Sequence, residues 1–117
     1  MRLDTEELDG GILKVNLAGR LDIAGTDLIA VPLAALAATD SRRVILDLSA
    51  VEFLASIGVR VILQNARAHQ MRGGALVLLG PSPIIEEVLL TAGVPNVVPV
   101  VPDLASALAA FVNLKDA

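Results

Sequence analysis

Short apolar runs alternate with longer stretches of helical period along this chain. Gly10-Gly11 reads as a turn, and Ile12, Val15 and Leu17 after it mark a strand ending at Gly19. A short strand around Arg2 to Glu6 would complete a hairpin with it. Thr26 or its neighbours cap a first helix that runs to about Ala38. Pro32 sits inside that segment, so either the helix is kinked there or Pro32 opens a shorter one. Val44 to Leu48 is an apolar run of the kind expected for a strand covered on both faces. Ile57 to about Met71 forms a second helix stopped by Gly73, with Arg60, Gln64, Arg67 and Met71 on its outer face and Val59, Ile62, Leu63 and Ala66 on its inner face. Ala75 to Leu79 is another buried strand. Ser82 as N-cap and Pro83 at the first helical position start a third helix that ends near Gly93, with Pro95 just beyond. Val97 to Val101, interrupted by Pro99, is a short edge strand. Asp103 caps a last helix from Leu104 to about Val112.

Strands alternating with helices of this length predict an α/β fold with a largely parallel sheet, here in a single domain spanning 1–117. In such a sheet the loops after the parallel strands gather at one end and build the functional surface. Two stretches qualify: Gly19-Arg20-Leu21-Asp22, and Ala50 to Ser56.

Composition narrows the chemistry. Of 117 residues 55% are hydrophobic, yet Phe53 and Phe111 are the only aromatics, so the core must be aliphatic. The net charge of -4 argues against a protein that lives on nucleic-acid phosphates. Arg42-Arg43 is the longest basic run, and two aromatics make no stacking platform for bases. The chain has no cysteine, which removes disulfides, thiolate catalysis and cysteine metal sites together. Asp4, Glu6, Glu7 and Asp9 are the opposite of a signal peptide's basic start. The longest apolar run, Leu28 to Ala38, has 11 residues, against the roughly 20 needed to span a bilayer. A soluble, cytoplasmic protein with no direct membrane insertion is expected.

Catalysis finds little support. The lone histidine, His69, falls on a helix face that reads as exposed, where a surface role outweighs a general base, and no second histidine is present to build a typical metal site. No cofactor is implied. Gly73-Gly74 reads as a helix stop and turn. Asp22, Asp47 and Glu52 could converge, although a strand-end aspartate more often binds loop backbone. Ser56 stands apart. Read structurally it is an N-cap, worth about 1 kcal/mol over alanine. Its neighbours point further: Ile57 leaves an apolar group at the helix entrance, Gly58 gives up roughly 1 kcal/mol of helix propensity, so its small size serves a close approach, and Arg60 lies four residues on, within reach of an added phosphate. A hydroxyl there sits among unpaired N–H groups at the positive end of a helix dipole.

At these residues the chain resembles the STAS domain family, which includes bacterial anti-sigma-factor antagonists and the cytoplasmic tails of sulfate transporters. The resemblance rests on Leu17-Ala-Gly-Arg-Leu-Asp22, Val44-Ile-Leu-Asp-Leu-Ser49, Phe53-Leu-Ala-Ser-Ile-Gly-Val59, Gly73-Gly-Ala-Leu-Val-Leu78 and the segment from Ile85 to Gly93, in that order and spacing. It implies a STAS-like fold, a mostly parallel sheet of four to five strands flanked by about four helices. It also implies a phosphorylation-switched binding module. Family members bind an anti-sigma factor that is also an ATP-using serine kinase, the kinase phosphorylates a serine at the start of the second helix, and a serine phosphatase resets the switch. The phosphoacceptor falls on Ser56, with Asp22, Phe53, Leu54, Ala55, Ile57, Gly58 and Arg60 as partner-binding residues. The usual pattern has an aspartate before the phosphoacceptor and a serine or threonine after it; here those positions hold Ala55 and Ile57. Ala55 favours an alternative within the family: a constitutive subunit of a signalling scaffold or of a lipid-transport ABC ATPase complex, without phosphorylation. A dimer through the exposed apolar loop is a further possibility, and an enzyme or small-ligand binder lacks a convincing constellation.

Overall fold

In the computed structural model, residues 1–115 are described, with side chains to residue 112. Five strands, β1 (Arg2–Leu8), β2 (Ile12–Leu21), β3 (Arg43–Leu54), β4 (Ala75–Leu79) and β5 (Val100–Val101), form one sheet in sequential order. The hairpin β1–β2 is antiparallel and the other pairings are parallel. Four helices connect or follow the strands: α1 (Ile23–Ala37), α2 (Ser56–Met71), α3 (Pro83–Thr91) and α4 (Leu104–Lys115). The expected mixed α/β class and mostly parallel sheet are present.

The alternation of side chains along the strands divides the core in two. Val44, Leu46 and Leu48 of β3 face a large cluster with Ile29 and Leu33 of α1, Ile62 and Ala66 of α2, and Ile85 and Leu89 of α3. Ile45, with Val77 and Leu79 of β4, faces a smaller cluster under Ala107 and Phe111 of α4. Three helices thus cover one face, while α4 covers only the far end of the other. The uncovered part carries polar side chains: Lys14 Nζ donates to Asn16 Oδ1 at 2.9 Å and pairs with Asp47 Oδ2 at 3.2 Å. Burial pushes the Asp47 carboxyl up, but the hydrogen bonds from Ser49 and Lys14 outweigh it and hold the pKa below the ordinary value. Among the described residues no helix is long and apolar enough to cross a membrane.

Several boundaries differ from the sequence pattern, each for a local reason. β2 and β3 run on to Leu21 and Leu54, through two register irregularities, between Asn16 and Ala18 and between Gly19 and Arg20. Bulges keep the ladder while breaking the two-residue alternation; after Leu48 the buried positions of β3 are Val51 and Leu54, three apart. α1 begins at Ile23, capped by Asp22, and Thr26 is buried in its first turn. Pro32 lies inside α1 on its exposed side, so the bond it cannot donate leaves the Leu28 carbonyl beside water. β5 keeps only two residues between Pro99 and Pro102. Ser82 occupies the N-cap position of α3 without a side-chain cap bond, whereas Asp103 does accept from the Ser106 N–H at 2.8 Å.

His69 corrects the sequence reading outright: it is 2% exposed. It lies in the last turn of α2, where α2 meets the starts of β3 and β4. The Gly74 N–H donates to its carbonyl at 2.8 Å, and Ala75 N–H donates to the Arg42 carbonyl at 3.0 Å. Its Nδ1 is buried without a partner among the described residues, as is the Arg42 Nε nearby. A helix C-terminus favours a protonated imidazole, but burial first, and the Arg42 charge second, push the His69 pKa down.

A pH dependence of stability follows. In the unfolded chain the imidazole takes a proton below about pH 6.5; in the folded chain it stays neutral to a lower pH. The unfolded state then binds more protons, so stability is complete above pH 6.5 and falls as the pH drops towards the folded-state pKa, by at most about 1.4 kcal/mol per pH unit. The lowered pKa values of Asp47 and Asp103 add losses only as the pH approaches their ordinary value of about 3.9. Urea unfolding at pH 7.5, 6 and 5 is expected to show this decline in the wild type and a flatter profile in His69→Gln; equal slopes would show that the imidazole is not its source.

Candidate functional site

β2 and β3 end side by side at one rim of the sheet, so the two stretches singled out in the sequence meet. The Ala55 N–H donates to the Leu21 carbonyl at 3.0 Å, the last rung joining them. Directly beyond it α1 and α2 start. The Asp22 side chain accepts from the Gly25 N–H at 2.8 Å and its carbonyl accepts from Thr26 at 2.9 Å, so Asp22 fixes the start of α1. The Arg20 guanidinium lies over the Phe53 ring, 4.4 Å from its centre, with its Nε 3.7 Å from Asp22 Oδ2. This bridge between the two strand ends is worth roughly 0.5–1 kcal/mol at such exposure. Arg20 lies in a stretch the sequence already singled out, but its contact with Phe53 was not legible there; no local pattern pairs it with a ring 33 positions away.

Ser56 is exposed at the first helical position of α2, one residue later than the cap expected of it. Ala55 holds the N-cap position in extended conformation and has no side chain to offer. The Gly58 and Val59 N–H groups both donate to the Ala55 carbonyl, at 2.9 and 3.1 Å. Those of Ser56 and Ile57 have no partner among the described residues. The Ser56 hydroxyl therefore carries no structural duty and stands beside unpaired donors at a helix N-terminus, the arrangement that accommodates an anion. Arg60 is exposed one turn on and makes no ion pair among the described residues.

The other expected site residues divide by burial. Phe53 is exposed, and Ala55 and Ile57 are half-buried. Leu54 belongs to the core. Gly58 is buried too, and the close approach it permits is within the chain: a Cβ there would lie 2.8 Å from Leu54 Cδ1 and 3.1 Å from Leu21 Cβ. Asp47 binds Lys14 on the open sheet face while Asp22 caps α1, so these carboxylates serve separate partners. Between the start of α2 and α3 runs a groove of about 700 Å³, with Ala55, Ser56 and Val59 on one side, Ile84 and Val88 on the other, and Glu87 as its charged residue. α3's share of this surface was not foreseen, because Ile84 in sequence merely adjoins the core residue Ile85.

Comparison with known proteins gives a consistent picture. A model of the STAS domain matches residues 3–107. BtrV of Bordetella bronchiseptica, named as an anti-sigma factor antagonist, is 32% identical over 111 residues, 95% of each chain. The crystal structure of an anti-sigma factor antagonist from Mycobacterium paratuberculosis aligns with a TM-score of 0.83 at 26% identity, covering 94% of this chain and 92% of that one. The Bacillus cell fate determinant SpoIIAA in its phosphorylated form shares the fold, with a TM-score of 0.69 at 20% identity over 93% of this chain and 98% of that one.

The rim depends on close backbone packing at Gly25, where an added Cβ would lie 1.9 Å from the Arg20 carbonyl oxygen. Backbone cannot yield as a side chain can. Gly25→Ala is expected to destabilise the protein by about 3 kcal/mol or more, read as a lowered midpoint in urea; a midpoint within error of wild type would show that the start of α1 can move off β2.

Proposed function

We propose that this chain, which belongs to the STAS domain family, is an anti-sigma-factor antagonist: a non-enzymatic, cytoplasmic binding module switched by phosphorylation of Ser56. In its unmodified form it sequesters an anti-sigma factor that is also a serine kinase. The kinase transfers the γ-phosphoryl group of ATP to Ser56: a bond forms from Oγ to phosphorus, the bond to the β-phosphate oxygen breaks, ADP leaves and the hydroxyl proton is lost. A serine phosphatase reverses the modification. The footprint is formed by Arg20 and Asp22, by Phe53 to Gly58, and by Arg60 on the exposed face of α2, with Leu54 and Gly58 acting from beneath.

The observation that carries this reading is the freedom of the Ser56 hydroxyl at an uncapped helix start, set among Phe53, Ala55 and Ile57. A phosphate adds about -1.5 to -2 charges. The helix N-terminus tolerates it, so the fold survives. In an apolar contact the same charge is costly, and each 1.4 kcal/mol of lost binding is about tenfold in affinity. The 32% identity to a protein named as an anti-sigma factor antagonist supports the role, and SpoIIAA, which shares the fold, is described in a phosphorylated form. Ala55, in place of the family's usual aspartate, supports a second reading: a constitutive subunit of a signalling scaffold or of a lipid-transport ABC ATPase complex.

Intact-protein mass spectrometry of the chain from its own organism, in growth and under stress, separates the two. A phosphate localised to Ser56 whose level changes with condition is the expected result; its absence under every condition assigns the constitutive role. Ser56→Asp is expected to weaken binding of the co-purifying kinase at least about tenfold with an unchanged unfolding midpoint. Full affinity in that folded variant would remove Ser56 from the interface.

A further inference from the structure

We infer that the outer face of α1 is the interface of a two-fold dimer of this chain. A helix on the surface of a protein normally turns charged residues to water. The outer face of α2 does so, with Arg60, Gln64 and Arg67 exposed. α1 does not. From Leu28 to its end at Ala37 it carries no charged residue, and Leu28 is 64% and Val31 76% exposed. These two make a ridge. Beside it, along the seam with α2, runs a groove of about 480 Å³ floored by small side chains, including Ala30, Ala34 and Ala68. Ridge and groove on one face are the self-complementary pair that a two-fold axis requires, each copy's ridge entering its partner's groove.

Charge selects a second copy over other occupants. Two chains of net charge -4 repel on the whole, and an uncharged face is one where close approach adds no like-charge contact. The charges that border this face sit at opposite ends. Asp27, exposed and without an ion pair among the described residues, lies at the N-terminal end of α1. Arg72 lines the groove at the other end, where it pairs with exposed Asp40 at 3.2 Å. A two-fold axis across the helix runs the two α1 segments antiparallel and sets Asp27 of each copy towards Arg72 of the other. The guanidinium has five donors, enough for Asp40 and a second carboxylate together. A lipid surface fits poorly, because helices that lie on membranes carry Lys and Arg on their polar side and α1 has neither. One helix face supplies only part of the roughly 800 Å² per partner of a stable complex, so the dimer is weak and concentration-dependent. The contact begins at Asp27, five positions from Asp22 or about 7.5 Å of helix, and runs from there away from the Ser56 rim.

Sedimentation equilibrium of the full chain, from low micromolar to submillimolar concentration, tests it. The wild type is expected to pass from one to two chain masses. Val31→Glu, an exposed position whose substitution leaves the core untouched, is expected to raise the dissociation constant at least about tenfold without changing the unfolding midpoint. Asp27→Arg alone weakens the dimer, and Asp27→Arg combined with Arg72→Asp restores it. A wild type that stays monomeric throughout overturns the proposal, and binding of that monomer to phosphatidylglycerol vesicles would assign the face to a membrane instead. A dimer indifferent to Val31→Glu and to the charge exchange also overturns it, by placing the contact elsewhere.

Discussion

The structure hangs on β3 and the way its second half is held. The first half is an ordinary central strand: Val44, Ile45, Leu46 and Leu48 are each at most 1% exposed, and at about 1.5–3 kcal/mol per buried aliphatic side chain they anchor both core clusters. The second half departs from the regular ladder. Bulges against β2 let the strand continue to Leu54 while only every third residue turns inward. Val51 and Leu54 hold it to the core, Phe53 is left at the surface, and the Ala55 N–H closes the last rung to Leu21. The serine that follows is placed by a strand anchored in the core rather than by a loop.

What the sequence shows and what it hides both trace to this strand. The regular pieces were legible because they obey one period at a time: β4 spans Ala75–Leu79 as its apolar run indicates, and α2 shows its inner face at helical spacing. The rim was half legible. The residue types and their order pointed to Asp22, Ser56 and Arg60, but the two-residue period fails at a bulge, so the strand ends read as loops. The Arg20–Phe53 contact and the α3 side of the groove depend on tertiary placement alone. His69 was misread because its neighbours Gln70 and Met71 are polar or exposed, and nothing local shows that the last turn of α2 is pressed against the starts of β3 and β4. α1 packs on the sheet through Ile29 and Leu33, and its apolar residues also extend around to the side that faces water, which no local pattern marks as exposed.

Local stability is unevenly spread around the site. α1 has a full side-chain cap in Asp22, and Gly25 seats it against the Arg20 carbonyl. α2, one strand over, begins with alanine in the cap position, where a Ser, Thr, Asp or Asn would contribute about 1 kcal/mol. The helix is held instead by burial of Val59, Ile62 and Ala66 and by the fit of Gly58 over Leu21. Its first turn thus keeps unpaired donors without risking the helix. A negative group added there meets those donors and the helix dipole together, each favourable by a few tenths to about 1 kcal/mol.

That balance determines where a modification at Ser56 can act. Residues on both sides of it are fixed: Leu54 and Gly58 are in the core, and Ala55 is bonded to β2. A phosphate attached between such points has little freedom to shift the backbone and no reason to unfold it. Its charge would change the surface alone, adding negative charge beside Phe53, Ala55 and Ile57 and next to a groove that already carries Glu87. In a chain of net charge -4 the modification increases repulsion towards acidic surfaces and raises the desolvation penalty of any apolar contact. A switch at Ser56, as proposed, would work through what can dock, because the strand end beneath it is tied to the core by Leu54 and to β2 by the Ala55 N–H.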